Sequence, residues 1–100
     1  MAPPTVSVVI VTRNHEAFIE QAVNSAISQR TDFEFEILIS EDYSSDETRR
    51  IVIEFRDRWP DRIKLLLSDH NLATNEATTR CIDIAQGKYI ALLQGDDYWT

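Results

Sequence analysis

The chain has 100 residues, enough for one small core and short for a complete α/β enzyme, so one domain, or part of one, is expected over residues 1–100. Its 17 acidic residues outnumber 10 basic ones for a net charge of −7, and the bases are scattered except for Arg49 and Arg50, which excludes the electrostatic footprint of a nucleic-acid binder. The single cysteine, Cys81, rules out an internal disulfide; no Cys/His cluster offers a metal centre, and no apolar run is long enough to span a bilayer.

The N-terminus "MAPPTVS" has neither the basic nor the apolar region of a secretory signal, and its prolines read as an extended lead-in. "VSVVIV", residues 6–11, is a β-branched run that fits a strand covered on both faces, as in a parallel sheet. "TRNHE" turns the chain. Phe18, Ile19, Ala22, Val23, Ala26 and Ile27 then recur at helical spacing, which predicts an amphipathic helix over about residues 16–28. A second strand, "FEILIS" (35–40), leads through "EDYSSDET" into a helix carrying Ile51, Val52, Phe55 and Trp59 on one side, with Pro60 past its end. Ser44 and Glu47 have the spacing of a capping box, which would mark the start of that helix. "IKLLL" (63–67) reads as a third strand and "NEATTRCIDIA" (75–85) as a third helix, closed by Gly87 in a left-handed cap; "KYIALLQ" (88–94) reads as a fourth, buried strand. The order β-α-β-α-β-α-β implies a parallel sheet, and ligands of such sheets bind outside the carboxyl ends of the strands.

Function is therefore expected in "TRN", "SEDYSSD", "SDHN" and "QGDD". Only two glycines occur, Gly87 and Gly95, so neither a dinucleotide fingerprint nor a P-loop is present. A hard divalent cation offers another way to hold phosphate: Asp96 and Asp97 supply the oxygen donors that Mg²⁺ or Mn²⁺ prefers, and such a cation keeps positions open for phosphate oxygens. Gly95 would let the backbone turn sharply and a diphosphate approach, and Gln94 could add an amide oxygen. From local sequence alone, Gly-Asp-Asp reads equally well as a polar turn. Asp42 is just as divided, between capping the turn and accepting hydrogen bonds from a ligand base.

Taken together, the segments resemble the N-terminal half of the family 2, GT-A-fold glycosyltransferases. The resemblance runs through "VSVVIVTRNHEAFIEQAVNSAISQ", "FEILISEDYSSDET", which is similar to the family's Asp-Asp-Gly-Ser-x-Asp-x-Thr, and "NLATNEATTRCIDIAQGKYIALLQGDDYW", which ends like its acidic metal motif. It implies a Rossmann-like α/β nucleotide-sugar-binding domain whose sequence stops just after that motif. The implied activity is transfer of a sugar, with inversion, from a nucleotide diphosphate sugar donor to a saccharide or other hydroxyl acceptor, with Mn²⁺ or Mg²⁺ as cofactor. It also places Thr12 and Asn14 beside the nucleotide, Asp42 on its base with Glu41 adjacent, and Asp96 on the metal, with Asp97 next to it. Three departures are visible: Gln94 stands at the first acid of the D-x-D motif, Ala73 at a common glycine and Thr78 at a frequent arginine, with Arg80 two residues on. The family's general base lies C-terminal to the metal motif, so it is expected beyond Thr100, and the chain alone is not expected to turn over efficiently.

Lesser candidates have ordinary readings. His15 and His70, each in a polar turn, read as solvated; Arg49 and Arg50 as a solvated helix face; Trp59 and Cys81 as packing. Arg13 is placed to meet phosphate, and Tyr98 and Trp99 to line a donor pocket. The rivals are a non-catalytic binding domain of the same fold, and a phosphoacceptor receiver domain, whose order of strand-end acids this sequence inverts. No nucleic-acid partner and no membrane segment are expected. A homo-oligomer is expected at high concentration, and the location is read as cytoplasmic, at the inner face of a membrane if regions outside this chain attach it.

Overall fold

The computed structural model describes residues 4–29, 34–72 and 74–96. Strands and helices alternate: β1 (Val6–Thr12), α1 (Ile19–Ile27), β2 (Phe35–Glu41), α2 (Thr48–Arg58), β3 (Ile63–Leu67), α3 (Thr74–Ile84) and β4 (Tyr89–Gln94). The strands form one parallel sheet in the order β3-β2-β1-β4, with helices on both faces, the doubly covered α/β architecture that the alternating elements led one to expect.

Strand periodicity explains the two-layered core. Alternate residues of β1 and β2 point to opposite faces. Val8, Ile10, Ile37 and Ile39 pack with Ile19, Ala22, Val23 and Ala26 of α1 and with Val52 and Phe55 of α2. On the other face Val9, Val11 and Leu38 meet Ala77 and Cys81 of α3. Each Val, Leu, Ile or Phe among them contributes about 1.5–3 kcal/mol when fully buried, which is why the two central strands read as unbroken apolar runs. Burial also pushes the Cys81 thiol up to about 11, so it packs as a small apolar group.

Several local expectations change. Among the described residues β4 is an edge strand paired only with β1, and Tyr89, Ile90 and Leu92 are exposed, Leu92 at 60%; Leu93 alone among its large side chains joins the core. The apolar run is real, but α3 lies over β1 and β2 and leaves this edge uncovered. Phe18 precedes α1 and is exposed, because a turn in which the His15 carbonyl accepts the N–H groups of Phe18 and Ile19 comes before the helix. Trp59 sits at the end of α2, partly exposed, with the packing done by Val52 and Phe55. Gly87 does not take a left-handed cap, since no described glycine has a positive φ. A Cβ at Gly87 would stand 2.5 Å from the Ser7 nitrogen, so close approach to β1 is what excludes a side chain there.

At the amino end of the sheet Glu36 pins four segments. Its Oε2 accepts from the Ser7 hydroxyl (2.6 Å) and the Gln86 N–H (2.7 Å), and its Oε1 pairs with Lys64 Nζ (2.9 Å). Burial alone would raise this carboxyl; the Ser7 hydroxyl, the Gln86 N–H and the Lys64 ammonium together hold it below its ordinary value.

Candidate functional site

Parallel register brings the strand exits together. Thr12 stands opposite Glu41 and Val11 opposite Gln94. The ladder continues one step past the strands, with Asp42 N–H on the Thr12 carbonyl, Gly95 N–H on the Val11 carbonyl (both 3.0 Å) and Ser68 N–H on the Glu41 carbonyl (3.1 Å). Thr12, Asn14, Glu41, Asp42 and Asp96 thus share the carboxyl edge of one sheet. Asp97, expected as a second metal ligand, lies outside the described residues, as do Tyr98, Trp99 and Ala73.

The first two turns are knitted to each other. Asn14 has φ 53°, a left-handed conformation that asparagine tolerates. Its Oδ1 accepts the Ser45 N–H (2.8 Å), and its own N–H donates to the Ser44 hydroxyl (2.9 Å). His15 N–H donates to Thr48 Oγ1 (2.9 Å), and Glu16 N–H to Asp46 Oδ2 (3.2 Å). The expected capping box does not form, because Ser44 is taken by Asn14 and Glu47 pairs with Arg50 at 2.7 Å. Asp46 takes over the start of α2 by accepting the Thr48 N–H at 2.9 Å. Burial opposes the charge on Asp46, but the Thr48 hydroxyl, the Thr48 N–H and the Glu16 N–H outweigh it and lower its carboxyl.

Glu41 has 0% exposure, and both its oxygens are engaged: Oε1 accepts the Ser44 N–H (2.7 Å) and Oε2 the Arg49 Nε–H (2.8 Å). Arg49 also donates to the Ser68 carbonyl. Arg49 is therefore part of the site's wall instead of a solvated face, since a carboxylate taken out of water needs a cation beside it. As folded, Glu41 offers no surface to a ligand and braces the turn that carries Asp42. Arg80, the nearest basic residue to the Thr78 position, is likewise committed: it donates to the Ser40 hydroxyl (2.8 Å) and to the carbonyls of Leu66 (3.0 Å) and Glu41 (3.4 Å). Neither arginine was recognisable as a brace in sequence, because the partners lie 8 to 40 residues away. Asp42 is largely buried and accepts the Leu72 N–H through Oδ1 at 2.6 Å, which ties the third strand exit to the second.

The remaining group joins β1 to β4. Thr12 Oγ1 lies 3.0 Å from His15 Nδ1, and His15 Nε2 lies 3.9 Å from Asp96 Oδ2. Gly95 belongs here for room: a Cβ on it would stand 2.4 Å from Thr12 Oγ1 and 2.6 Å from His15 Nδ1. Its φ is not positive, so the expected sharp glycine turn is replaced by close approach. His70, by contrast, is exposed beside Asp69, as a solvated histidine should be; its hydrogen bond is the main cause lowering the Asp69 carboxyl. Among the described residues no group of three or more His, Cys, Asp or Glu side chains is placed to hold a metal ion. What is present, an exposed carboxylate at Asp96 with the His15 ring 3.9 Å away, fits a cation most of whose positions are filled by water and substrate phosphate.

Residues 7–100 match the profile of glycosyl transferase family 2. The chain belongs to that family. It is 36% identical over 94 residues to the Escherichia coli UDP-Glc:alpha-D-GlcNAc-diphosphoundecaprenol beta-1,3-glucosyltransferase WfgD, an alignment covering 94% of this chain and 36% of that protein. Staphylococcus aureus TarS (residues 1–349) superimposes with a TM-score of 0.80 at 28% identity, over 94% of this chain and 28% of TarS; TarS structures in complex with UDP and with UDP-GlcNAc match as well. The Pyrobaculum calidifontis mannosyltransferase PcManGT, in complex with GDP-Man and Mn²⁺, shares the fold with a TM-score of 0.84 at 21% identity, over 99% of this chain and 29% of that one. The chain thus spans about a third of the length of these relatives. Among the described residues no helix is long and apolar enough to cross a membrane.

Proposed function

We propose that this chain is the donor-binding part of a glycosyltransferase that takes a sugar from a uridine diphosphate sugar and passes it to an acceptor hydroxyl. The observation that carries the reading is the parallel register that places Thr12, Asn14, Asp42 and Asp96 along one sheet edge. The donor class is supported by the uridine nucleotides named for WfgD and for the TarS complexes.

In this reading Asp42 meets the nucleotide base, with Leu72 N–H fixing its carboxylate and Glu41 and Arg49 bracing the turn behind it. Asn14, exposed at the first turn, borders the nucleotide, and Thr12, fully buried, supports that turn from beneath. Asp96 would hold Mn²⁺ or Mg²⁺, which when bound neutralises charge developing on the leaving diphosphate. With a single described carboxylate, the chain depends on donor phosphate to complete the coordination, so metal and nucleotide should bind together. The general base and the acceptor site belong to residues outside this chain. A cytoplasmic location is part of the same reading.

Calorimetric titration of UDP and GDP, with Mn²⁺ and with chelator, tests it. UDP should bind more tightly than GDP, and Mn²⁺ and UDP should each strengthen the other's binding by the same factor. Asp96→Asn should abolish the coupling, whereas Asp42→Ala should weaken UDP in both conditions. Binding of UDP that ignores Mn²⁺ and survives Asp96→Asn would reduce Gly95 and Asp96 to a turn.

A further inference from the structure

The donor-site reading gives no task to His15, a titratable side chain at the carboxyl edge. It is not a solvated turn histidine: its side chain is 22% exposed, its backbone N–H is held by Thr48 Oγ1, and its ring lies over Gly95, where no Cβ would fit. Thr12 Oγ1, itself buried, fixes the ring through Nδ1 at 3.0 Å. Nε2 is then the nitrogen turned to the open side, 3.9 Å from Asp96 Oδ2. That separation is too long for a hydrogen bond. One octahedral cation with bonds of about 2.1 Å needs neighbouring ligand atoms roughly 3 Å apart, an approach that rotation of the exposed Asp96 carboxylate toward the ring supplies.

We propose that His15 is a ligand of the divalent cation, its Nε2 supplying with Asp96 the protein side of the site and replacing the anionic donor that Gln94 does not provide. The proposal rests on the donor-site reading. In the tautomer protonated on Nδ1, that nitrogen donates to Thr12 Oγ1 and the lone pair is left on Nε2; a ligating histidine is usually oriented in this way by a partner on its other nitrogen. An imidazole nitrogen beside a single carboxylate favours Mn²⁺ over Mg²⁺, because Mg²⁺ prefers oxygen alone.

The chain contains two histidines, so the ligand can be identified directly. The protein is labelled with ¹⁵N-histidine, loaded with Mn²⁺ and UDP, and measured by pulsed electron paramagnetic resonance. A ¹⁵N coupling should appear in the wild-type chain and in His70→Asn, and vanish in His15→Asn, which keeps an amide near Thr12 while removing Nε2. Calorimetry should show the Mn²⁺-dependent part of UDP binding weakened about tenfold or more in His15→Asn and retained in His70→Asn. Mn²⁺-coupled UDP binding that shows no histidine nitrogen, or that survives His15→Asn, overturns the assignment and leaves the donor-site reading standing. Absence of any coupling between Mn²⁺ and UDP in the wild-type chain overturns both.

Discussion

The Glu41–Arg49 pair makes an asymmetric prediction. Glu41 is 0% exposed, whereas the Arg49 side chain is 35% exposed and keeps a second acceptor in the Ser68 carbonyl. Removing the arginine as Arg49→Met strands a carboxylate out of water, which costs about 3–5 kcal/mol. Removing the charge of the acid as Glu41→Gln preserves volume and lets an amide oxygen keep the Ser44 N–H. The freed guanidinium can turn to solvent, so the loss is that of one charge-assisted bond, about 1.5–3 kcal/mol. For a domain of this size 1 kcal/mol moves Tm by roughly 4–8 °C, so Arg49→Met should melt well below Glu41→Gln. The double variant should cost less than the sum of the two by at least about 1 kcal/mol, because the second change removes the charge that the first one stranded. Thermal and urea melts followed by far-ultraviolet circular dichroism measure all three. Equal losses for the two single variants, or an additive double, would show that Glu41 is hydrated or neutralised by another group and that Arg49 is not its brace.

Glu36 governs part of the acid limb of stability. Its carboxyl is held below its ordinary value by the Ser7 hydroxyl, the Gln86 N–H and Lys64 against the opposing effect of burial, so its contribution is complete above the unfolded-state value of about 4.3 and is lost as pH falls through the lower folded value. Glu36→Gln should therefore destabilise by about 2 kcal/mol at neutral pH, flatten the stability profile below pH 5, and leave UDP binding unchanged, as followed by urea melts across pH; an unaltered profile would refute it. Gly95→Ala should cost about 1–3 kcal/mol through overpacking, since its Cβ would lie 2.4 Å from Thr12 Oγ1, and should weaken Mn²⁺-linked UDP binding; a variant with wild-type melting and affinity would contradict the close approach. The uncovered β4 edge, with Ile90 and Leu92 exposed, should drive concentration-dependent self-association that Leu92→Lys reduces; sedimentation of a strict monomer at millimolar concentration would count against it.

The central strands were legible because burial on both faces leaves an apolar run with nowhere else to go. β3 has the expected bounds at Ile63–Leu67, and β1 and β2 each extend one residue beyond theirs, to Thr12 and Glu41. β4 looked the same in sequence, since an apolar run carries no mark of whether a helix of its own chain covers it. The Ser44–Glu47 spacing failed for a different reason: the Ser44 hydroxyl meets the Asn14 N–H, 30 residues distant, and that tertiary bond displaces the local one. Tyr43 stands where the resembling segment has a glycine and adopts φ 55°. The turn geometry is thus set by the surrounding bonds more firmly than by its own residue preference.

Which acids gather at the carboxyl edge could be read from the strand ends; the division of labour among them could not, because it is decided by burial and partners. Glu41 is fully enclosed and neutralised by Arg49, so its charge is spent on the fold. Asp42 gives Oδ1 to the Leu72 N–H and is nearly closed off, which suits a fixed acceptor for the edge of a base more than a cation ligand. Asp96 is 55% exposed, with the His15 ring at 3.9 Å, and is therefore the one of Glu41, Asp42 and Asp96 whose charge is available to a ligand. A divalent cation needs an anion that the protein has not already neutralised, and along this edge that requirement selects Asp96 and, through the ring that faces it, His15.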